Sequence, residues 1–327
     1  MPPGESYSAG HFELIQKCPK RKNAQNAIDI LWRQVMSKKH PIVAVTGSSG
    51  AGTTSVRVAF ERIFQRAGVR PAIIEGDGFH RYDRKSMQEA LKLAEAEGKT
   101  ISHFGPEGNL FEELEAVVKK YSRNGEGRRR WYVHNKKEAL SLELPAGSIT
   151  PWEPLPKDTD LLFYEGLHGA LVTDKVNISK HVDLLIGVVP IINLEWIQKI
   201  HRDKKVRGYS AAAATQKILS RMHDYVHYIV PQFSRTDINF QRVPTVDTSN
   251  PFSAQEIPGN DQSFEVVHVR NPKKLSVDFN KLLSLLSGSF MSAPDTLVIP
   301  ALRRTLAMEL IINPVIERLM KAKRKTD

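Results

Sequence analysis

The residues most able to do chemistry lie in four short stretches. Residues 43–54, VAVTGSSGAGTT, run from an apolar strand through a glycine-rich loop to a helix start. That order lets backbone N–H groups turn inward around a polyphosphate while the helix contributes its positive end. Gly47 and Gly52 keep the spacing of G-x-x-x-x-G-K-S/T, with Ser48, Ser49, Gly50 and Ala51 between them. Thr53 stands where lysine is usual, so another cation must serve a transferring phosphoryl group. Thr54 keeps the hydroxyl expected on magnesium, and the nucleotide-binding set extends to Ser55.

The second stretch, residues 73–84, IIEGDGFHRYDR, reads as a strand ending in an acid, Asp77, between two glycines. In a parallel sheet this puts Asp77 at the carboxyl edge, beside the phosphate loop, where it could accept a hydroxyl proton or hold magnesium. The bland alternative is an Asp that caps the next helix. His80 and Arg84 follow closely enough to line the same pocket, and a guanidinium there suits a phosphorylated acceptor. In the third stretch, residues 161–168, LLFYEGLH, an apolar strand ends at Glu165, the arrangement of a Walker B strand that completes a magnesium shell. In the fourth, residues 193–208, Lys199 and Arg202 share the flank of an amphipathic helix and could replace the missing loop lysine. Arg207 is expected just past that helix end, before Gly208.

These groups need one sheet edge to hold them. Strand-like runs at 42–45, 72–74, 161–164, 184–189, 264–269 and 297–299 alternate with helical patterns at 53–66, 86–97, 194–204, 211–228 and 302–324. This is the βαβ rhythm of a parallel sheet. The expected class is α/β: a P-loop NTPase-like mixed, mostly parallel sheet flanked by helices, forming one domain over 36–327. Residues 1–35 read as a poorly ordered extension, or as a misassigned start with Met36 the true first residue.

The net charge is +11 over 327 residues. A basic balance suits nucleic acid, but it equally suits an enzyme whose substrates all carry phosphate. The basic clusters at 17–22, 119–130 and 318–325 lack the regular aromatic interleaving of a single-strand binder, so nucleic acid is not an expected partner. No run of roughly 18 apolar residues or secretory signal is present, which points to a cytoplasmic protein without membrane contact. The one cysteine, Cys18, excludes an intrachain disulfide or thiol switch.

Together the stretches GSSGAGTT, IEGDGFHR, RRRWYVH, LLFYEGLHG, IGVVPIINLEWIQKIHRD, RGYS, RMHDYVHYIVPQFSRTDINFQRVP and VDTSNPF closely resemble phosphoribulokinase of the proteobacterial type. The resemblance covers most of residues 38–320 and includes threonine in the lysine position of the loop. It implies transfer of the ATP γ-phosphate, with Mg²⁺, to the C1 hydroxyl of ribulose 5-phosphate in the Calvin cycle. It further implies Asp77 as catalytic base and Glu165 as a second acidic metal-site residue. His80, Arg84, His134 and Arg207 would contact ribulose 5-phosphate, while Lys199 and Arg202, with Asp203 nearby, would stabilise the transferring phosphate. Arg221 would belong to an effector-responsive or subunit-contact region. Relatives of this type form homo-oligomers activated by NADH and inhibited by AMP, so both traits are expectations here. The rival readings are a related kinase acting on uridine or pantothenate, and a nucleotide-binding regulator. A phosphate-free acceptor leaves His80, Arg84 and Arg207 without an obvious anion, and a regulator leaves Asp77 and Glu165 idle.

Overall fold

The computed structural model describes residues 39–47, 53–254 and 256–324. The expectations for residues 1–35 and for Ser48, Ser49, Gly50, Ala51 and Gly52 lie outside them, as do those that depend on the side chains of Thr53, Thr54, Ser55 and Arg207.

Strand β1 (Ile42–Gly47) leads to helix α1 (Thr53–Ala67) and then to β2 (Pro71–Glu75). In α1 the buried positions Val56, Ala59, Phe60, Ile63 and Phe64 recur at helical spacing, so one stripe faces the sheet. A 3₁₀ turn, Gly76–Phe79, follows β2 and precedes α2 (Arg84–Ala96) and α3 (Phe111–Asn124). Next come the two-residue strand β3 (Arg128–Arg129), helix α4 (Lys136–Leu142) and β4 (Glu153–Pro154), which pairs antiparallel with β3. β5 (Leu161–Gly166) and β6 (Leu184–Pro190) return to the central sheet. Helix α5 (Ile192–Arg207) and α6 (Ala211–Leu219) precede α7, residues 222–233, in which Tyr225–Ile229 is wound as a π-helix. β7 (Ile238–Pro244), β8 (Ser263–Val269), the short helices α8 (Pro272–Leu275) and α9 (Phe279–Leu285), β9 (Phe290–Ala293), β10 (Thr296–Pro300) and α10 (Arg304–Arg324) complete the order.

The main sheet runs β2-β5-β1-β6-β7-β8-β10-β9. From β2 to β7 neighbours are parallel, and the last three strands join antiparallel. Helices cover the parallel half, so the inner strands read as continuous apolar runs, with Ile42, Val43, Ala44 and Val45 all buried. β8 instead alternates buried and half-buried residues. The expected class is therefore observed. Among the described residues no helix is long and apolar enough to cross a membrane.

Several expected boundaries move. β2 stops at Glu75, so Asp77 stands in the 3₁₀ turn rather than on the strand. Helix α5 continues through Arg207, which is its last residue rather than a residue beyond it. Gly208, at φ +69°, ends the helix in the left-handed conformation that glycine adopts at least cost. The helical pattern at 211–228 breaks after Leu219 because its apolar residues serve two clusters: Ala214 and Ile218 pack with Ile200, whereas Tyr225 and Ile229 pack with Leu167. Strands β7 and β9 and helix α3 were not expected from periodicity. β7 (INFQRVP) carries polar residues and a proline, and its strand state is set by pairing between β6 and β8.

Candidate active site

The carboxyl ends of β1, β5 and β2 meet at one edge of the sheet, where open α/β sheets bind ligands. A cavity of about 800 Å³ opens there. Gly47, Glu75, Asp77, His134, Glu165 and Arg202 all line it, so residues scattered from 47 to 202 in the sequence share one space.

Asp77 reaches this space because its turn is clamped from behind. The Arg130 guanidinium donates to the Gly78 carbonyl at 2.6 Å and to the His80 carbonyl at 2.5 Å, and it rests over the Trp152 ring. A Cβ on Gly78 would come 2.1 Å from the Arg130 carbonyl oxygen, so only glycine fits beneath that clamp. The basic run ending at Arg130 is therefore partly structural. Helix α2 is capped by Asp83, whose side chain accepts from Ser86 N at 2.7 Å, which leaves the Asp77 carboxylate available to the cavity.

Each oxygen of Asp77 faces an imidazole: Oδ1 lies 3.5 Å from His80 Nε2, and Oδ2 lies 3.7 Å from His134 Nε2. Burial lowers the pKa of His80 and outweighs the pull of Asp77, so its ring is neutral near pH 7 and the contact is not a full ion pair. Tyr132 sits between the two histidines, with centroids 5.7 Å from His80 and 5.0 Å from His134. Arg84 stands behind His134, donating to its carbonyl at 3.4 Å and to that of Ala146 at 3.5 Å.

Glu165 lies on β5 directly beside Glu75 of β2, the two paired in parallel register. Burial first, then the Glu75 charge, pushes Glu165 up to about 7, with Arg57 opposing. Glu75 is also raised, mainly by burial, against the pull of His134 and Arg57. Glu75 and Arg57 escaped the sequence reading. Their signals were present: Glu75 is the terminal residue of a strand, as an acid at a ligand-binding edge would be, and Arg57 lies one helical turn after Thr53.

On α5, Arg202 lines the cavity, while Lys199 is held by the fully buried Asp203 through a 2.8 Å bond. Burial lowers the Lys199 pKa to about 8, although the Asp203 bond works to raise it. Arg221 lies over the Phe104 ring at 6.0 Å and is near enough to Lys199 and His80 to depress both. It stands at the N-terminal cap position of α7.

No group of three or more His, Cys, Asp or Glu placed to hold a metal occurs among the described residues. Magnesium does not require one, because it keeps several waters and is usually held through one or two carboxylates plus substrate phosphates. Glu165 and Asp77, oxygen donors in a cavity crowded with negative charge, fit that pattern.

The sequence model described as the phosphoribulokinase / uridine kinase family matches residues 42–249. The chain belongs to that family. It is similar to a phosphoribulokinase encoded on a plasmid of Cupriavidus necator, 56% identical over 293 residues that span 89% of this chain and 99% of the relative. A phosphoribulokinase of Nitrobacter vulgaris is 55% identical over 291 residues, 89% of this chain and 100% of that one. Among solved structures, the phosphoribulokinase from Rhodobacter spheroides superposes with a TM-score of 0.81 at 51% identity, covering 88% of this chain and 99% of the other.

Proposed function

We infer that the chain is an ATP-dependent kinase that phosphorylates the C1 hydroxyl of ribulose 5-phosphate, giving ribulose 1,5-bisphosphate and ADP for the Calvin cycle. The observation that carries this reading is Asp77, a carboxylate facing two imidazoles in the cavity that opens beside Gly47 and Glu165. Relatives more than half identical over nearly their full length, all phosphoribulokinases, support the choice of acceptor.

ATP would enter from the loop that follows Gly47, with the acceptor near Asp77. The C1 hydroxyl attacks the γ-phosphorus in line as Asp77 accepts its proton, and His80 and His134 hold the carboxylate and the sugar oxygens in place. Arg202, with Lys199 behind it, offsets charge on the transferring phosphoryl group and takes the part of the lysine that Thr53 replaces. Magnesium, bound with ATP, would supply further charge neutralisation, and Glu165 with Asp77 and Thr54 would hold it. Arg84 and Arg207 would bind the acceptor's own phosphate.

The same reading treats residues 36–327 as one kinase domain with 1–35 an extension, working in the cytoplasm as a homo-oligomer. It keeps NADH as activator, AMP as inhibitor and Arg221 as part of the effector or subunit contact. The test is ADP formation from Mg-ATP, first without NADH and then with it, with ribulose 5-phosphate, uridine or pantothenate as acceptor. Turnover with ribulose 5-phosphate alone is expected. Turnover with uridine, or none with any acceptor after NADH is added, would overturn the reading.

A further inference from the structure

His80 is almost wholly buried and its Nε2 faces Asp77, so whatever holds that ring also fixes one side of the carboxylate. Two rings hold it. Tyr132 meets it edge-on at 84° and itself lines the cavity. On another side lies His103, with centroids 4.5 Å apart and planes at 37°, and His103 is not one of the residues lining the cavity. His103 thus touches the neighbour of the base from outside the lining of this cavity.

The loop that carries His103 is anchored from a distant element. Ser102 is fully buried, and its hydroxyl donates to Asp224 Oδ2 at 2.7 Å while accepting from Phe104 N at 3.0 Å. The Asn109 amide ties the other side, donating to the His103 carbonyl at 2.9 Å and the Gly105 carbonyl at 2.7 Å. Gly105 lies so close to α7 that a Cβ there would come 2.6 Å from Asp224 Oδ2. Asp224 directly precedes the π-wound segment of α7, itself an irregularity common near functional sites. A buried hydrogen bond between residues this far apart in sequence sets how the loop sits against the Asp77 turn.

We propose that His103 is a positioning residue for phosphoryl transfer: its ring, on a loop held by the Ser102–Asp224 bond, backs the His80 imidazole and through it keeps Asp77 aimed at the acceptor hydroxyl. This rests on the reading of Asp77 as the base. Small misplacements of a reacting group are costly, so loss of the backing ring acts on turnover of the acceptor and leaves the nucleotide site alone.

The test is steady-state kinetics of the full chain carrying His103→Ala, His103→Gln or His103→Phe, with ATP affinity measured separately by calorimetry. His103→Ala and His103→Gln should lose roughly 10-fold in kcat/KM for ribulose 5-phosphate at unchanged ATP affinity, and His103→Phe, which keeps a ring, should recover to within about 3-fold of wild type. Should the alanine variant fail to fold, glutamine keeps the size without the ring and carries the comparison. Wild-type kinetics in His103→Gln, a phenylalanine variant no better than glutamine, or a parallel loss of ATP affinity would each overturn the proposal. A wild-type chain with no turnover of ribulose 5-phosphate would overturn the proposed function instead, so the two failures are distinct.

Discussion

Glu75 and Glu165 stand side by side, paired in register at the carboxyl ends of β2 and β5, and each is followed by a glycine. Those glycines let the strand ends close: a Cβ on Gly166 would come 2.7 Å from Gly76 Cα, and one on Gly76 would come 2.5 Å from the Tyr164 hydroxyl. The outcome is a pair of half-buried acids beside Asp77.

Crowded carboxylates are relieved by a hard divalent cation. Magnesium added together with ATP should therefore raise Tm by about 2 °C or more over the same ATP-containing sample in EDTA. Glu165→Gln should cancel most of that increment. A wild-type Tm indifferent to magnesium would argue against Glu165 as a metal-site residue.

Asp77→Asn preserves shape and removes the proton acceptor. Loss of a general base lowers kcat by roughly 10² to 10⁴ with a modest change in KM. A variant that keeps most of its turnover would take Asp77 out of that role, whatever its place in the cavity.

Lys199 carries a different liability. With its pKa near 8 it sheds its proton as pH rises through that value, and the site loses a cation. kcat is expected to fall on the alkaline side of about pH 8, and Lys199→Arg, whose guanidinium stays charged, should move that limb upward. Removing the buried partner with Asp203→Ala should cost about 3–5 kcal/mol of stability, because it leaves a buried cation uncompensated. A pH–rate profile identical in Lys199→Arg would assign the limb to another group.

His168 and Glu265 pull stability in opposite directions. His168 is buried and donates from Nε2 to the Phe104 carbonyl at 3.0 Å, and burial pushes its pKa down to about 4 from the usual 6.5. From about pH 6.5 down to 4 the unfolded chain binds a proton that the folded chain refuses, so this contribution is complete above 6.5 and lost as pH falls. Glu265 is buried beside Arg304 Nε at 3.3 Å, and burial raises it to about 7 from 4.5. Its contribution is complete below 4.5 and lost as pH rises through 7. Moving from about pH 7 to 5, His168→Gln should gain about 1–2 kcal/mol of unfolding free energy relative to wild type, and Glu265→Gln should lose a similar amount. Urea titrations at the two pH values measure both, and equal pH differences in all three proteins would show that neither group titrates as described.

The sequence by itself determined the class of fold and the order of strand, glycine-rich stretch and helix, and it offered Asp77, His80, Glu165 and Arg202 as candidates, with His134 added by the family resemblance. These are local signals: apolar runs, glycine spacing and acids at strand ends are written within a few residues of one another. The family resemblance was legible for the same reason, since it rests on short contiguous motifs. Only the tertiary structure decided which of these groups share a space. Glu75 became a neighbour of Glu165 through the register of β2 on β5, a pairing between segments about 90 residues apart that periodicity does not encode. Asp203 holds Lys199 as its partner because a buried carboxylate must be paired. His103 acquired a place behind His80 only because Ser102 meets Asp224 across the fold. For Glu75 and His103 the deciding contact joins residues whose proximity depends on how the elements pack, and their spacing in the chain carries no trace of it; Lys199 and Asp203, four residues apart on one helix, are neighbours by spacing alone, and what the fold added is the burial of Asp203.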